Sequence, residues 1–547
     1  MDKRSLFPAV VTALFFISIP AFSEVSSDPD IETKIRKTAE AMGTSVYEDF
    51  PVSGASFGNL TKSGVGYSLS GYPLKNSFPV PEPQLTRQPA SKPDLSFSET
   101  AGVYWGYAAT LWNSISAQIS DSGFFSSGAP SFEDISRNIL KKVTNSAYAP
   151  RKYGESSLFN EEGFVAEFEK VTGSKFNDGN SVKFLVDGAE SFKYKDHLIK
   201  NAQKSVYVTT WAFYDDITGV EALNLLLEKK KQGLDVRVIT DGKIVSSHGI
   251  SIIKKLEEAG IEVLRYREKG RAADIWHVKM IIADERYAIT GGMNFGDPYS
   301  HKDPKGLKWR DTDVLYSGPA VNDSLKLFAQ FWNDAISSQK AKATPLVIPE
   351  KINPAEGKAK ISHSFSNPPS AEGTSILTGM IKAMYGASKN INIENAYFVP
   401  IPALTQALLD ARARGVEVNI FTNSKDSIDP EAKSVSDISM KGLYPLYKAG
   451  ARIYLKKGET LHSKFMTVDG IYCSIGSYNL HPRGERYDSE VNLNIIDPES
   501  VPLLDEVFKK GVLNQSVEVK TGSELVPDQS WFSKIVEKYF FAHLGGK

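Results

Sequence analysis

The sequence predicts an α/β protein made of two tandem copies of one domain, related by pseudo-twofold symmetry and preceded by an irregular N-terminal extension. Three observations predict it. From about residue 182, strand-like apolar runs alternate with amphipathic helical stretches, the pattern of a sheet covered by helices. The same order of segments then returns: Ala202 and Lys204 before Val206 and Val208 are echoed by Ala387 and Lys389 before Ile391 and Ile393, 185 positions on (387 minus 202). Each copy also closes on the same polar pattern. A period this long is a duplicated domain, not a solenoid.

The elements follow in chain order. Lys3 and Arg4 precede an apolar run from Leu6 to Phe22, and Ala21-Phe22-Ser23 resembles a small-x-small cleavage site. Residues 1–23 are therefore expected to be a signal peptide that exports the protein to the periplasm or beyond. An uncleaved anchor is the alternative, although the run falls short of the roughly 20 residues of a comfortable span. Residues 24–150 form the extension; its stretch 52–99 is rich in Gly, Ser and Pro, which suits an extended segment. Within it, residues 104–119 carry Tyr104, Trp105, Tyr107, Leu111, Trp112, Ile115 and Ile119 at helical spacing. Such a helix either packs on the main body or touches lipid at an interface.

The first copy spans residues 151–345, with strands at 183–185, 205–210, 236–240 and 261–266 and helices at 219–232 and 252–259, in a largely parallel sheet. The second spans 346–520. Between them, residues 341–356 read as a linker marked by Pro345, Pro349 and Pro354. The last segment, 521–547, is an amphipathic helix on Trp531, Phe532, Ile535, Val536, Tyr539 and Phe540, packing on the second copy or contacting lipid.

Composition bounds the function. At 547 residues and 41% hydrophobic, the chain can bury several cores but is too polar for a polytopic membrane protein. Lys and Arg number 64 against 65 Asp and Glu. That balance counts against a dedicated nucleic-acid binder, whose affinity draws on a basic excess. The single cysteine, Cys473, excludes an internal disulfide and a multi-cysteine metal site, and its apolar neighbours read as a core.

The chemistry concentrates in the closing pattern. His277, Lys279 and Asp284, followed by Gly291, Gly292 and Asn294, return as His462, Lys464 and Asp469 with Gly476, Ser477 and Asn479. All four polar positions shift by the same 185 residues (462 minus 277). Side chains alternate along a strand, so His and Lys at i and i+2 share a face. A hairpin then returns the small residues and the Asn beside them, where a phosphate could approach. Lys and Asn supply donors for its oxygens, and imidazole supplies the reactive nitrogen. The apolar residues between differ while the polar set is retained, which favours chemistry over simple duplication.

This doubled HxKxxxxD pattern, each with its downstream Asn, resembles the phospholipase D superfamily over about residues 182–513. Trp309-Arg310-Asp311-Thr312-Asp313 leading to Gly318-Pro319, Asp215-Asp216-Ile217-Thr218-Gly219 and Tyr397-Phe398-Val399-Pro400 resemble bacterial cardiolipin synthases, as do Arg483 and Glu490-Val491-Asn492. Gly484 departs from the usual Ser, Asp488 stands where Asn is common, and two membrane spans ahead of the catalytic body are replaced by the signal-like segment.

The resemblance implies two phospholipase D-like α/β domains that hydrolyse or transfer a phosphodiester through a phosphohistidine, without metal or cofactor. By it, His277 is the nucleophile and His462 the general acid and base; the motifs themselves are equivalent on this point. Lys279, Lys464, Asn294 and Asn479 bind the phosphate. Asp311 and Glu490 orient the imidazoles, each serving the other copy's histidine. Asp284 and Asp469 belong to the catalytic motif but are expected to hold the hairpins. His197, His248, His301, His363, His481 and His543 are expected to be structural, with His481 nearest the pocket. The substrate implied is a glycerophospholipid, met through peripheral membrane contact by a monomer, since one chain holds both half-sites. An exported nuclease of the same chemistry and a non-enzymatic interaction protein are the competing readings.

Overall fold

The computed structural model describes residues 131–145, 148–267, 274–348, 352–367 and 372–526. The signal-like segment, the aromatic stretch 104–119 and nearly all of the C-terminal amphipathic segment lie outside them. The described residues belong to one compact unit beginning at Ser70.

Strands β1 (Asn177–Val186), β2 (Ser205–Thr210), β3 (Asp235–Asp241), β4 (Glu262–Tyr266), β5 (Ile275–Trp276), β6 (Met280–Ala283), β7 (Tyr287–Gly291) and β8 (Thr312–Ser317) build the first repeat. The second uses β9 (Ala359–Ser366), β10 (Asn390–Asn395), β11 (Glu417–Asn423), β12 (Arg452–Lys456), β13 (Lys464–Val468), β14 (Tyr472–Gly476), β15 (Asp488–Ile496) and β16 (Ser516–Glu518). Helices α1 (Phe132–Thr144) and α2 (Glu162–Thr172) come first, then α3 (Asp187–Asn201), α4 (Ile217–Lys231), α5 (Ile250–Glu258), α6 (Asp297–Ser300) and α7 (Ala320–Gln339). Helices α8 (Ser375–Gly386), α9 (Pro402–Ala413), α10 (Ser436–Lys448) and α11 (Val501–Gln515) cover the second repeat.

All strands but β5 follow one path: β16-β12-β11-β10-β13-β14-β15-β9-β1-β8-β7-β6-β2-β3-β4. Leaving out β16, the order reads equivalently from either end about the antiparallel β1–β9 pair, so the duplication is a symmetry of the sheet. Each repeat contributes three parallel strands joined by helices, β2-β3-β4 and β10-β11-β12. The remaining long pairings are antiparallel, so the sheet is mixed and not largely parallel as expected. The difference is physical. The sequence between His277 and Ser317 is too short for helical crossovers, so those strands return as hairpins.

Local sequence explains the helices that matter for the site. Asp216 caps α4 by accepting the Gly219 N–H at 3.0 Å, and Lys229 to Lys231 complement its C-terminal dipole. Asp215 accepts the Ser251 and Ile252 N–H groups at 3.1 and 3.0 Å and anchors the start of α5.

The N-terminal part of the body does not stay with the first repeat. Phe132, Ile135, Ile139, Leu158, Phe164 and Phe168 join the apolar core of the second, against α8 and α9. Ser136 even accepts the Ala403 N–H at 3.0 Å, satisfying a donor in the first turn of α9. So α1 extends the ordered body into residues expected to be irregular, and α1 and α2 cover the second repeat. The linker holds no helix or strand at its described positions. Among the described residues, no helix is long and apolar enough to cross a membrane.

Candidate active site

Each motif begins just before a hairpin, β6–β7 in the first repeat and β13–β14 in the second. At the far turn stand Asp284 and Asp469, at φ 54° and 56°. Asp284 accepts the Gln203, Lys204 and Ser205 N–H groups at 2.7–3.2 Å. Asp469 accepts those of Ser388, Lys389 and Asn390 at 2.8–3.1 Å. Both carboxylates, placed in the catalytic motif but expected to hold the hairpins, bond the backbone that opens β2 and β10. They hold the hairpin, with a whole strand between each and its lysine.

The histidines lie at the other end, where the repeats meet. Strand β5 pairs in parallel with β15, and the His277 N–H donates to the Ser489 carbonyl at 3.0 Å. Glu490 follows Ser489, and its two oxygens both lie 2.9 Å from His277 Nδ1. The second half-site repeats the arrangement. Leu461 bridges Arg310 in parallel, the His462 N–H donates to the Arg310 carbonyl at 2.7 Å, and Asp311 meets His462 Nδ1 at 2.7 Å. Each imidazole is thus oriented by an acid from the other repeat, delivered by a short cross-repeat pairing. An acid on Nδ1 holds that proton and leaves Nε2 as the bare, reactive nitrogen.

Glycines make room for this. A Cβ on Gly292 would lie 2.2 Å from an Asp311 oxygen, and one on Gly291 would lie 2.1 Å from Asp313. Their smallness, read from sequence as space for phosphate, admits the carboxylates instead. Gly484, the departure from Ser, lies under the Tyr478 ring, 2.7 Å from where its Cβ would be.

Lys279 and Lys464 sit beside the histidines and are almost wholly buried. Lys279 Nζ donates to the His277 carbonyl at 2.8 Å, and Lys464 Nζ donates to that of His462. Lys464 Nζ also lies 3.0 Å from His462 Nδ1. Since Nδ1 donates to Asp311, that contact is a charge opposing the imidazolium. Burial pulls the ammonium pKa values down, to about 7 for Lys279 and about 8 for Lys464, against the attraction of nearby carboxylates.

Burial also depresses both imidazoles. His277 falls well below its ordinary value, helped by the charges of Lys279, Lys464, His462 and His481. His462 falls to about 4, with Lys464 adding to burial and Asp311 opposing. That the two histidines and both lysines act on one another through space marks them as one cluster. Glu490 is pushed well above the carboxylate range by burial and by Asp488. For Asp311 burial acts upward, but His462, Lys464 and the Thr312 N–H outweigh it and the net shift is downward.

Asn294 and Asn479, both expected at the phosphate, differ. Asn294 is fully buried; its Nδ2 donates to the Tyr299 hydroxyl at 3.1 Å and its Oδ1 accepts from Thr210 at 3.3 Å. It supports Tyr299, whose ring meets His462 edge-on at 5.0 Å. Asn479 is also buried, yet its Oδ1 has no hydrogen-bond partner among the described residues. Trp309 stacks on His462 at 5.6 Å, Tyr397 lies 6.3 Å from it, and Trp211 lies 6.3 Å from His277. Phe213 and Phe398 are core residues. His363 and His301 are structural, bonded to Ser324 and to the Trp309 carbonyl, whereas His248 lies buried between Trp211 and Tyr214.

Three supports escaped sequence reasoning. Arg310 forms a buried bidentate ion pair with Glu394 across the repeats, at 2.9 and 3.1 Å. Asp241 accepts the Trp276 N–H at 2.7 Å, and Asn423 accepts that of Leu461 at 2.9 Å. Asp241 and Asn423 each clamp the residue before a motif histidine from the end of the matching strand. Their shared place at the ends of β3 and β11 was the signal available.

Among the described residues, no group of three or more His, Cys, Asp and Glu side chains gathers as a metal-ligand set. The family model "Cardiolipin synthase, PLD-like domain" matches residues 196–313 and 380–511. The chain is 30% identical to the major cardiolipin synthase of Bacillus subtilis (strain 168) over 345 residues, 62% of this chain and 70% of that one. It is also 30% identical to cardiolipin synthase A of Pseudomonas syringae pv. syringae (strain B728a), over 58% of this chain and 66% of that one. The fold matches the crystal structure of phosphatidylserine synthase from Haemophilus influenzae Rd KW20, at TM-score 0.56 and 17% identity, covering 69% of this chain and 97% of that one. With both HxKxxxxD motifs intact and a relative of this identity covered over more than two thirds of its length, the chain belongs to the cardiolipin synthase family of phospholipase D-like phosphatidyltransferases.

Proposed function

We propose that this protein cleaves a glycerophospholipid at its phosphodiester and passes the phosphatidyl group, through a phosphohistidine, to an alcohol or to water. One observation carries the reading: two imidazoles from two repeats, each with Nδ1 held by the other repeat's acid, flanked by two buried lysines.

His277 Nε2 attacks phosphorus while Glu490 stabilises the charge that develops on the ring. His462 protonates the departing alcohol oxygen, then takes the proton of the incoming hydroxyl, so one group serves both half-reactions. Lys279, Lys464 and Asn479 hold the non-bridging oxygens; each such donor is worth on the order of 10²–10³ in rate where water is excluded. A bound phosphodiester adds one negative charge, and that charge raises His462 towards the imidazolium its role as acid requires.

Export as a monomer that docks on a membrane from outside the cytoplasm belongs to the same proposal, supported by the signal-like N-terminus and by both half-sites residing in one chain. The test is lipid mass spectrometry on purified protein with mixed phospholipids, with and without ethanol, beside His277→Ala and His462→Ala. Phosphatidic acid or phosphatidylethanol, lost in both variants, is expected. DNA cleavage without lipid turnover would replace this reading with that of a nuclease.

A further inference from the structure

Strand β1 runs into helix α3 with no loop between them, Val186 ending the one and Asp187 starting the other. Asp187 takes this turn at φ 60°, in the left-handed region that glycine enters freely and an aspartate only under strain. Its two polar groups face one neighbour. Asp187 Oδ1 accepts the Asp311 N–H at 3.3 Å, and the Asp187 N–H donates to the Asp311 carbonyl at 2.8 Å. Asp311 is therefore held by both of its backbone groups, and the direction of its side chain is held with them.

That grip reaches His462 by two routes. Asp311 meets His462 Nδ1 at 2.7 Å, and the His462 N–H donates to the Arg310 carbonyl at 2.7 Å. The Arg310 carbonyl and the Asp311 N–H belong to one peptide group, so Asp187 and His462 bond its two ends. The next residue, Gly188, closes on a third neighbour of the ring. A Cβ there would overlap the Tyr299 carbonyl, and the Tyr299 ring lies 5.0 Å from His462. The Asp187 carboxylate also faces a cation: burial works against the Arg310 guanidinium, and Glu394 and then Asp187 outweigh it.

The second repeat lacks the device. Val186 pairs with Thr312 in the first repeat, and Ser366 pairs with Glu490 in the second. Ser366 and Glu490 lie 179 positions after Asp187 and Asp311 (366 minus 187, 490 minus 311), so a serine holds the place of the strained aspartate. Its Oγ is buried with no hydrogen-bond partner among the described residues.

We propose that Asp187, outside both motifs, is a positioning residue for the general acid and base: it locks the Arg310–Asp311 peptide and so keeps Asp311 and His462 aligned for proton transfer. The inference rests on the transferase reading above and deepens it.

The experiment compares the full-length wild type, Asp187→Gly and Asp187→Asn on two substrates. Phosphatidylcholine releases an alcohol that must be protonated; phosphatidyl-p-nitrophenol releases a phenolate that need not be. Glycine relieves the left-handed turn and removes the carboxylate, whereas asparagine keeps the turn and an Oδ1 acceptor. In Asp187→Gly, kcat for choline release should fall about tenfold to a hundredfold with KM little changed, while the stopped-flow p-nitrophenol burst stays within about threefold. Its Tm should equal or exceed that of wild type, since strain is lost. Asp187→Asn should release choline within about threefold of wild type. An unchanged kcat in Asp187→Gly overturns the proposal. So does equal loss on both substrates, the mark of a merely structural residue, and so does an Asp187→Asn variant as slow as Asp187→Gly. Wild-type protein that releases neither choline nor p-nitrophenol refutes the transferase reading itself, a different failure.

Discussion

Changing Glu490 to Gln should separate catalysis from stability in opposite directions. Both Glu490 oxygens lie 2.9 Å from His277 Nδ1, so the carboxylate holds one tautomer whichever oxygen is used. An amide can instead turn its NH₂ towards Nδ1, which stabilises the tautomer with its proton on Nε2 and removes the nucleophile. Loss of an orienting acid of this kind costs a serine triad about 10⁴ in rate, and a comparable loss here, about 10³–10⁴, corresponds to roughly 4–5.5 kcal/mol of barrier. Folding responds the other way. Glu490 is wholly buried, and its pKa is raised well above 4.5, first by burial and then by Asp488. A carboxyl with a raised folded pKa keeps a proton that the unfolded chain releases, so its contribution to stability is intact below 4.5 and is lost as pH climbs towards the folded value. Gln escapes that loss. Head-group release from phosphatidylcholine gives kcat, and calorimetry at about pH 5 and pH 8 gives Tm. The variant should lose about three decades in kcat while gaining Tm, more at the higher pH. A kcat within tenfold of wild type, or a Tm that falls equally at both pH values, would refute the orienting role.

Three further outcomes follow from the same geometry. Arg310→Met or Glu394→Leu alone strands a buried charge and should cost about 3–5 kcal/mol, while the double variant recovers most of it, as chemical denaturation of the three proteins would register. Activity should decline on the alkaline side, first near pH 7 and again near pH 8, as buried Lys279 and Lys464 lose their protons; Lys279→Arg should move the first step upward in a pH–kcat profile. Asp284→Ala removes the acceptor for three backbone N–H groups and should lower stability by about 1–3 kcal/mol while kcat of the folded protein stays within a few-fold; a kcat collapse at unchanged Tm would return Asp284 to the chemistry.

What the sequence revealed follows from what is local. The duplication, the strand–helix order and the His/Lys spacing are contained in short segments, and the sheet reproduces them. The resemblance supplied the cross-repeat assignment of Asp311 and Glu490, which spacing alone leaves open because the pairing of β5 with β15 links residues over two hundred positions apart. Long-range packing hid the rest. Nothing in the α1 sequence says that Phe132 and Ile139 belong to the second repeat's core, since an amphipathic helix records that it has a buried face but not which body covers it. Gly291 and Gly292 were read as space for a ligand because the carboxylates that fill it arrive from β8. Arg310 and Glu394 are individually unremarkable charges; only their burial against each other makes them a joint between repeats.

The same burial bears on the order of the proposed reaction, because the surroundings of the two motifs differ. A nucleophile must stay unprotonated in the field of the site, whereas a general acid must be able to charge. His277 is driven down by burial and then by four cationic or imidazole neighbours, and its side chain, at 13% exposure against 5% for His462, is the more open. His462 is lowered to about 4, and its partner Asp311 is shifted towards the anion, which sustains an imidazolium beside it. The wider exposure of His277 and the anionic Asp311 beside His462 support the order proposed above, attack by His277 and proton transfer by His462. Quenching at alkaline pH during turnover, where the P–N bond survives, with peptide mass spectrometry should find the phosphoryl adduct on the His277 peptide and should accumulate it in His462→Ala when the leaving group is p-nitrophenol, which departs without a proton. An adduct on His462 would reverse the order, because whichever imidazole carries phosphorus is the one that attacked it.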